Sequence, residues 1–184
     1  MLHERTVLDF LATVAERGTT QVEYLRRPDD LAAWAVEARV LSEPVPVTPG
    51  VLAGAVALRE AMYRLLDAAI DGLSPSREDR DVVNAAARHA LPVRQLTGSG
   101  DVLRTGTVGA VLALLAADCL ELYAGPDRQV LSRCDAPRCT RLYLDRSRGG
   151  RRRWCDMKGC GDRAKAAAYR RRHHGAATTT TASR

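Results

Sequence analysis

Two stretches of equal length dominate the C-terminal part of the sequence, Cys134-Asp-Ala-Pro-Arg-Cys139 and Cys155-Asp-Met-Lys-Gly-Cys160. Fifteen residues separate these two cysteine pairs. Zn²⁺ prefers a tetrahedral set of soft ligands, and structural sites commonly take them as two pairs from two tight turns. The spacing therefore predicts one structural zinc ion held by the thiolates of Cys134, Cys139, Cys155 and Cys160.

Disulfide bonds are the main alternative for these cysteines, and they require export. The first ten residues carry charges and lack the apolar core of a signal peptide, and no later run reaches the roughly 18 apolar residues that span a membrane. We therefore expect a cytoplasmic protein, in which paired cysteines are more often metal ligands than disulfides. Cys119 lies in an apolar segment and is predicted to be a core residue. His173 and His174 could replace a thiolate, but the four cysteines already complete the set.

The residues between and after the cysteine pairs predict a small β-hairpin and a helix. Residues 142–145 and 151–154 are the predicted strands, with Ser147-Arg-Gly-Gly150 as the turn between them. Residues 164–169 contain several of the strongest helix formers. The turn with the first cysteine pair, the hairpin, the second cysteine pair and the helix follow one another in the order of a treble-clef-like zinc finger. Trp154, next to Cys155, is predicted to pack over the zinc core rather than stack on a base.

The first 125 residues are predicted to form a mainly α-helical domain with one short β-hairpin. Aromatic residues make up only 4% of the chain, so the core must come from Ala, Leu and Val. Apolar periodicity and capping residues predict helices at about 4–16, from Pro28 onward, at 49–72, from a Ser76–Asp79 capping box to about His89, and at 108–123. The hairpin is predicted within residues 91–104, around Gly98-Ser-Gly100.

These patterns divide the chain into four segments. We predict a helical domain at 1–125, a connector at 126–132, the four-cysteine zinc finger at 133–174 and a low-complexity tail at 175–184. Small metal-centred modules are organised by their ion. We therefore expect the finger to fold around zinc independently of the helical domain.

Charge is distributed unevenly along the chain. Residues 133–184 contain 15 basic and 4 acidic residues, a net charge of +11, whereas residues 1–132 carry a net charge of −5. A basic segment on an acidic body is typical of polyanion binding, although a merely solvated basic surface is the alternative. The predicted nucleic-acid contacts lie around the hairpin and along the following helix: Arg146, Arg148, Arg151, Arg152, Arg153, Arg163, Lys165, Arg170, Arg171 and Arg172.

The segment from Trp154 to Lys165 resembles the CGNR zinc finger, a family named for its Cys-Gly-Asn-Arg motif. Here the motif is Cys160-Gly-Asp-Arg163, with Asp in place of Asn. Residues 142–148 are similar to the hairpin of that family. The stretches Leu8-Asp-Phe-Leu-Ala-Thr-Val14 and Pro28-Asp-Asp-Leu-Ala-Ala-Trp34 resemble the ABATE domain that usually precedes this finger, with Ala12 where Asn is expected. The resemblance covers nearly the whole chain and implies a stress-related bacterial transcription regulator.

Several functions remain open from the sequence. The leading hypothesis is sequence-specific binding of duplex DNA by the zinc finger. The alternatives are RNA binding by the same basic surface and a zinc-stabilised protein-interaction module. We expect Arg163 and Lys165 to approach bases and Arg170, Arg171 and Arg172 to contact phosphates. The resemblance implies a sensing role for the helical domain, where a small-molecule effector site or a homodimer interface would suit a regulator.

Catalysis is not expected. Four protein ligands leave zinc no position for a water molecule. The helical domain lacks a phosphate-binding glycine loop, a nucleophile elbow and a His-Glu-x-x-His motif. We therefore predict that the protein is not an enzyme.

Overall fold

The computed structural model describes residues 5–174, so the predicted tail at 175–184 lies outside the described residues. Most of the described chain is helical, with three separate two-stranded antiparallel sheets. The helices are α1 (Thr6–Leu11), α2 (Pro28–Glu37), α3 (Pro49–Ile70), α4 (Arg77–Ala87), α5 (Val108–Ala124) and α6 (Asp162–His174). The strands are β1 (Val14–Ala15), β2 (Val22–Glu23), β3 (Val93–Leu96), β4 (Val102–Thr105), β5 (Leu131–Arg133) and β6 (Leu142–Leu144). A helical body with a small C-terminal finger is confirmed as the fold class.

The long helices α3 and α5 form the centre of the body. Each begins at a threonine whose side chain accepts a backbone N–H bond, Thr48 from Val51 at 3.3 Å and Thr107 from Ala110 at 3.2 Å. Both helices contribute fully buried apolar side chains, among them Met62 of α3. α4 is capped by Ser76, which accepts the N–H of Asp79 at 3.0 Å. The predicted capping box is only half formed, because the Asp79 carboxylate binds Arg64 of α3 instead.

The first helix is shorter than predicted, ending at Leu11 rather than near residue 16. The Thr13 hydroxyl donates to the carbonyl of Phe10 at 2.7 Å, and the chain then becomes extended as β1 and pairs with β2. A buried guanidinium fixes this change of direction. Arg59 of α3 donates to Thr13 Oγ1 at 2.9 Å and to both carboxylate oxygens of Glu23 at 2.8 and 2.6 Å. Helical spacing alone does not reveal this long-range partner.

Residues 126–132, predicted as a connector, have regular structure. Pro126–Val130 forms one 3₁₀ turn, and Leu131 begins β5. β5 pairs with β6 in the register Leu131 opposite Leu144 and Arg133 opposite Leu142. The finger is therefore joined to the body by a β-sheet rather than by a linker.

The predicted pairing of residues 142–145 with 151–154 is wrong, because β6 takes β5 as its partner. β5 supplies the buried Leu131, whereas residues 151–153 are exposed arginines that could not cover the apolar face of β6. The chain after β6 instead forms a turn that is stabilised by the buried Asp145. Its carboxylate accepts N–H bonds from Ser147 and Arg152, both at 2.9 Å.

Strand β6 contributes to two cores at once. Leu142 and Leu144 pack with Leu131 in the core of the helical body, whereas Tyr143 packs with the cysteines of the finger. Side chains alternate between the faces of a strand, so three consecutive residues reach both cores. The body and the finger are therefore parts of one packed structure.

Polar contacts fasten the same junction. Arg133 of β5 donates to the carboxylate of Asp71 at 2.8 and 2.7 Å, at the end of α3. Arg138 pairs with Glu16 at 2.5 Å, and the Arg17 N–H donates to Thr140 at 3.3 Å. These bonds join both sides of the cysteine turn to the body, so they fix the orientation of the finger.

We predict that Leu144→Ala destabilises the helical body as well as the finger. Truncating a buried leucine costs about 2–5 kcal/mol, and this leucine belongs to the body core. Thermal unfolding followed by circular dichroism at the helical band should show one transition at a lower temperature. Chelation of zinc should lower the same transition.

The matched control is Leu96→Ala, since Leu96 of β3 is 77% exposed. That variant should unfold close to the wild-type temperature. A body that melts unchanged in Leu144→Ala, or after chelation, would show that the two parts unfold independently.

Candidate metal centre and nucleic-acid surface

The four predicted ligands converge at one point. All four Sγ atoms of Cys134, Cys139, Cys155 and Cys160 lie within 4.8 Å of one another. Cys139 is 3.8 Å from Cys155, and Cys155 is 3.7 Å from Cys160. Tetrahedral zinc with Zn–S bonds near 2.3 Å requires S···S separations of roughly 3.8 Å. The donor atoms and their spacing therefore fit one zinc ion.

The first ligand pair sits on a turn between β5 and β6. The Cys134 N–H donates to the Arg141 carbonyl at 3.1 Å, and the Cys139 N–H donates to the Ala136 carbonyl at 3.0 Å. Arg138 takes the left-handed backbone conformation, with φ of 67°. The turn thus points both thiols to the same side, and β-pairing holds its two ends.

The second pair is positioned by an acidic cap and a tight helical turn. The Asp156 carboxylate accepts the N–H of Gly159 at 2.8 Å and that of Lys158 at 3.3 Å. A Cβ at residue 159 would lie 2.9 Å from Asp156 Oδ2, so a larger residue there would displace the capping carboxylate. One π turn, Met157–Gly161, follows and leads directly into α6. Cys160 therefore lies at the entrance to the last helix.

A small apolar shell surrounds the thiols. Ala136 and Tyr143 are buried against the cysteines, and Trp154 packs on the same cluster while remaining partly exposed. The predicted packing of Trp154 on the metal core is confirmed. A hydrogen bond from the Cys155 thiol lowers the pKa of Cys139 below its ordinary value, which favours the thiolate form of this ligand. Zinc itself drives deprotonation of the others.

The remaining metal-binding candidates lie elsewhere. Cys119 is fully buried in α5, and burial raises the pKa of its thiol, as expected for a core residue. Among the described residues, the metal-binding group consists of the four cysteines and does not include His173. The His173 ring packs against Tyr169 near the far end of α6, with the two ring planes tilted by 45°. The side chain of His174 lies outside the described residues.

Five of the ten predicted nucleic-acid contacts are engaged within the protein. Arg146 pairs with Asp127 at 2.9 Å, Arg153 with Asp135 at 2.9 Å and Lys165 with Asp162 at 3.4 Å. Arg152 donates to the carbonyls of Trp154 and Cys155, and its guanidinium lies over the Tyr143 ring. Arg163 donates to the Cys160 sulfur at 3.1 Å. Arg152 and Arg163 bond to the segment that carries the second ligand pair, whereas the carboxylate pairs of Arg146, Arg153 and Lys165 lie largely at the surface and contribute little to stability. Net charge alone cannot reveal these contacts.

All ten residues are exposed, and the other five have no ion-pair partner within residues 5–174. They are Arg148, Arg151, Arg170, Arg171 and Arg172. Arg148 and Arg151 flank Gly149 and Gly150, which both take positive φ values of 84° and 59°. The three remaining arginines are consecutive on α6. Exposed arginines therefore lie at the finger's turn and along its last helix.

Sequence reasoning missed one residue that shapes this surface. Asp145 is 5% exposed, and its carboxylate accepts bonds from the Ser147 hydroxyl and from two backbone N–H groups. The hydroxyl bond is the main reason that the pKa of Asp145 lies below its usual value. An Asp followed two residues later by Ser is a local turn signal that could have identified it.

Four converging thiolates, a β-flanked turn and a following helix define a structural zinc finger on a helical body. Two family models match the chain: the CGNR zinc finger at residues 131–173 and, at 4–126, the ABATE domain, described as a "putative stress-induced transcription regulator". The chain belongs to the ABATE family and ends in a CGNR finger that binds one zinc ion. No curated protein matches it in a sequence search. Within residues 5–174, none of the helices is long and apolar enough to cross a membrane.

Purified protein should contain one zinc per chain by elemental analysis, and Cys155→Ser should lose it. Structural zinc needs its complete thiolate set, since one missing ligand opens the tetrahedral site. Cys119→Ala removes a thiol elsewhere and should keep the metal. Equal zinc in wild type and Cys155→Ser would contradict this ligand set.

Proposed function

We propose that the protein is a cytoplasmic transcription regulator that binds duplex DNA through the exposed arginines of its zinc finger. The observation that carries this proposal is the division of the finger's basic side chains. Five of the ten predicted contact residues bond to carboxylates, carbonyls or sulfur, whereas Arg148, Arg151, Arg170, Arg171 and Arg172 have no such partner within residues 5–174. Exposed guanidinium groups of this kind are suited to phosphate contacts.

The shape of α6 supports the proposal. An α-helix with its side chains is about 10–12 Å wide and fits the major groove of B-DNA. α6 has little apolar surface, and Tyr169 and Arg170 are exposed on it. Consecutive residues of a helix differ by about 100° in direction, so Arg170, Arg171 and Arg172 together cover much of its circumference. At least one of them can reach a phosphate for most orientations of the helix.

The sequence suggested that both basic residues in the first turn of α6 approach bases, but the structure separates their roles. Arg163 is bonded to Cys160, so it is not a free base-reading group. Lys165 pairs with Asp162, but both side chains are 62% exposed, and such pairs contribute little. Lys165 could therefore exchange this carboxylate for a base edge or a phosphate.

A cleft between the body and the finger offers a place for an effector. Its volume is about 830 Å³, in the range of small-molecule sites. Trp34 and Tyr24 line it from the body, and Arg141, Tyr143 and Cys155 line it from the finger. A ligand bound there would touch a zinc-ligating residue. In this proposal, a ligand in the cleft would alter the finger, which is the sensing role we propose for the body.

We predict that Arg171→Ala/Arg172→Ala weakens binding to all DNA sequences alike. Each lost phosphate contact flattens the slope of log affinity against log salt by about 0.9, so the double variant should lose up to about two units. Fluorescence anisotropy of labelled duplex DNA across a salt series measures this slope. Arg88→Ala/Arg94→Ala removes two exposed arginines of the body and should leave the slope unchanged.

Two neighbouring residues give a sharper comparison. Arg148→Ala should flatten the slope by about 0.9, whereas Arg146→Ala should change it less, because Asp127 already engages that guanidinium. Unlabelled RNA of the same sequence tests the alternative nucleic acid. Stronger competition by RNA would favour RNA binding. Zinc-loaded protein with no affinity for duplex DNA at about 50 mM salt would reject the proposal and favour a protein-interaction module.

A further inference from the structure

The Cys160 sulfur differs from those of the first ligand pair in how it is supported. The Cys134 sulfur accepts the backbone N–H of Cys155 at 3.4 Å, and the Cys139 sulfur accepts that of Arg141. Apart from the Cys155 thiol, which loses its proton when zinc binds, the donor to Cys160 is a side chain, with Arg163 Nη2 at 3.1 Å. The first pair thus draws hydrogen bonds from the backbone of the finger, whereas Cys160 receives one from a residue of α6.

The local chain geometry makes this contact possible. Arg163 follows Cys160 by three residues, a spacing that places side chains on the same face where a helix begins. α6 begins at Asp162, two residues after the ligand, so the first turn of the helix brings the Arg163 guanidinium to the sulfur.

The negative charge of the zinc–thiolate centre makes the contact with the Arg163 guanidinium favourable. Four thiolates around Zn²⁺ leave a net charge of −2, and a guanidinium next to one thiolate offsets part of it. An N–H···S bond also fixes the direction of the sulfur lone pairs and restrains the cysteine rotamer. Donors in the layer around a metal commonly change its affinity by about 10–100-fold.

We propose that Arg163 is a positioning residue of the zinc site, which holds the Cys160 thiolate and thereby keeps zinc bound. It acts on the metal through Cys160 rather than by reading bases. The Cys160-Gly-Asp-Arg163 motif then has a physical meaning: it combines a zinc ligand with the cation that supports that ligand. This inference does not rest on DNA binding.

The test is zinc affinity, measured without DNA by competition with a chromophoric chelator. Arg163→Ala and Arg163→Gln should bind zinc about 10–100-fold more weakly than wild type. Arg163→Lys should lie between, because it keeps the charge but not the planar fork. In cobalt-loaded protein, Arg163→Ala should shift the sulfur-to-cobalt charge-transfer band, since Cys160 loses its donor.

Arg170→Ala is the matched control, because it removes an exposed arginine from the same helix without touching a ligand. Its zinc affinity and cobalt spectrum should equal those of wild type. Wild-type zinc affinity in both Arg163→Ala and Arg163→Gln would overturn the proposal. Reduced preference for a selected DNA site in those variants at unchanged zinc affinity would overturn it in favour of base reading.

Discussion

The C-terminal part of this protein depends on one constraint, the convergence of four thiolates on a single zinc ion. Two turns 15 residues apart must present their sulfurs to the same point, and each turn is fixed at both ends. The first is held by β5 and β6, and the second by the Asp156 cap and the start of α6. The positions of the exposed arginines follow from these anchors. Loss of the ion would release the two ligand turns and, with the second of them, the start of α6.

Less of the finger's positive charge is available to a polyanion than its composition suggests. Arg133, Arg138 and Arg146 meet carboxylates of the helical body or of the adjoining 3₁₀ turn. The acidic balance of the body therefore has a structural use, because it neutralises part of the finger and fixes its orientation. What remains for a polyanion is a smaller and better-defined set of exposed side chains.

Sequence reasoning succeeds where chemistry or periodicity acts locally. The ligand set follows from spacing, because zinc coordination accepts few arrangements. α3 follows from its apolar stripe after Thr48, and α5 follows from a run after Thr107 that is apolar around most of its circumference. Sequence reasoning fails where a residue far away in the sequence determines the local structure. The end of α1 depends on Arg59, and the partner of β6 depends on which strand can cover Leu142 and Leu144. The same limit applies to the charged residues, since the pairing of Arg146 with Asp127 cannot be inferred from a count of charges.

Three leucines determine whether this finger could function when joined to another protein: Leu131, Leu142 and Leu144. They face the helical body, so an excised finger would present an uncovered apolar face to water. A zinc finger that buries its apolar residues within itself can be moved between proteins without such a cost. This finger needs a neighbour with a complementary surface, so exchange between genes is expected to preserve the body and the finger together.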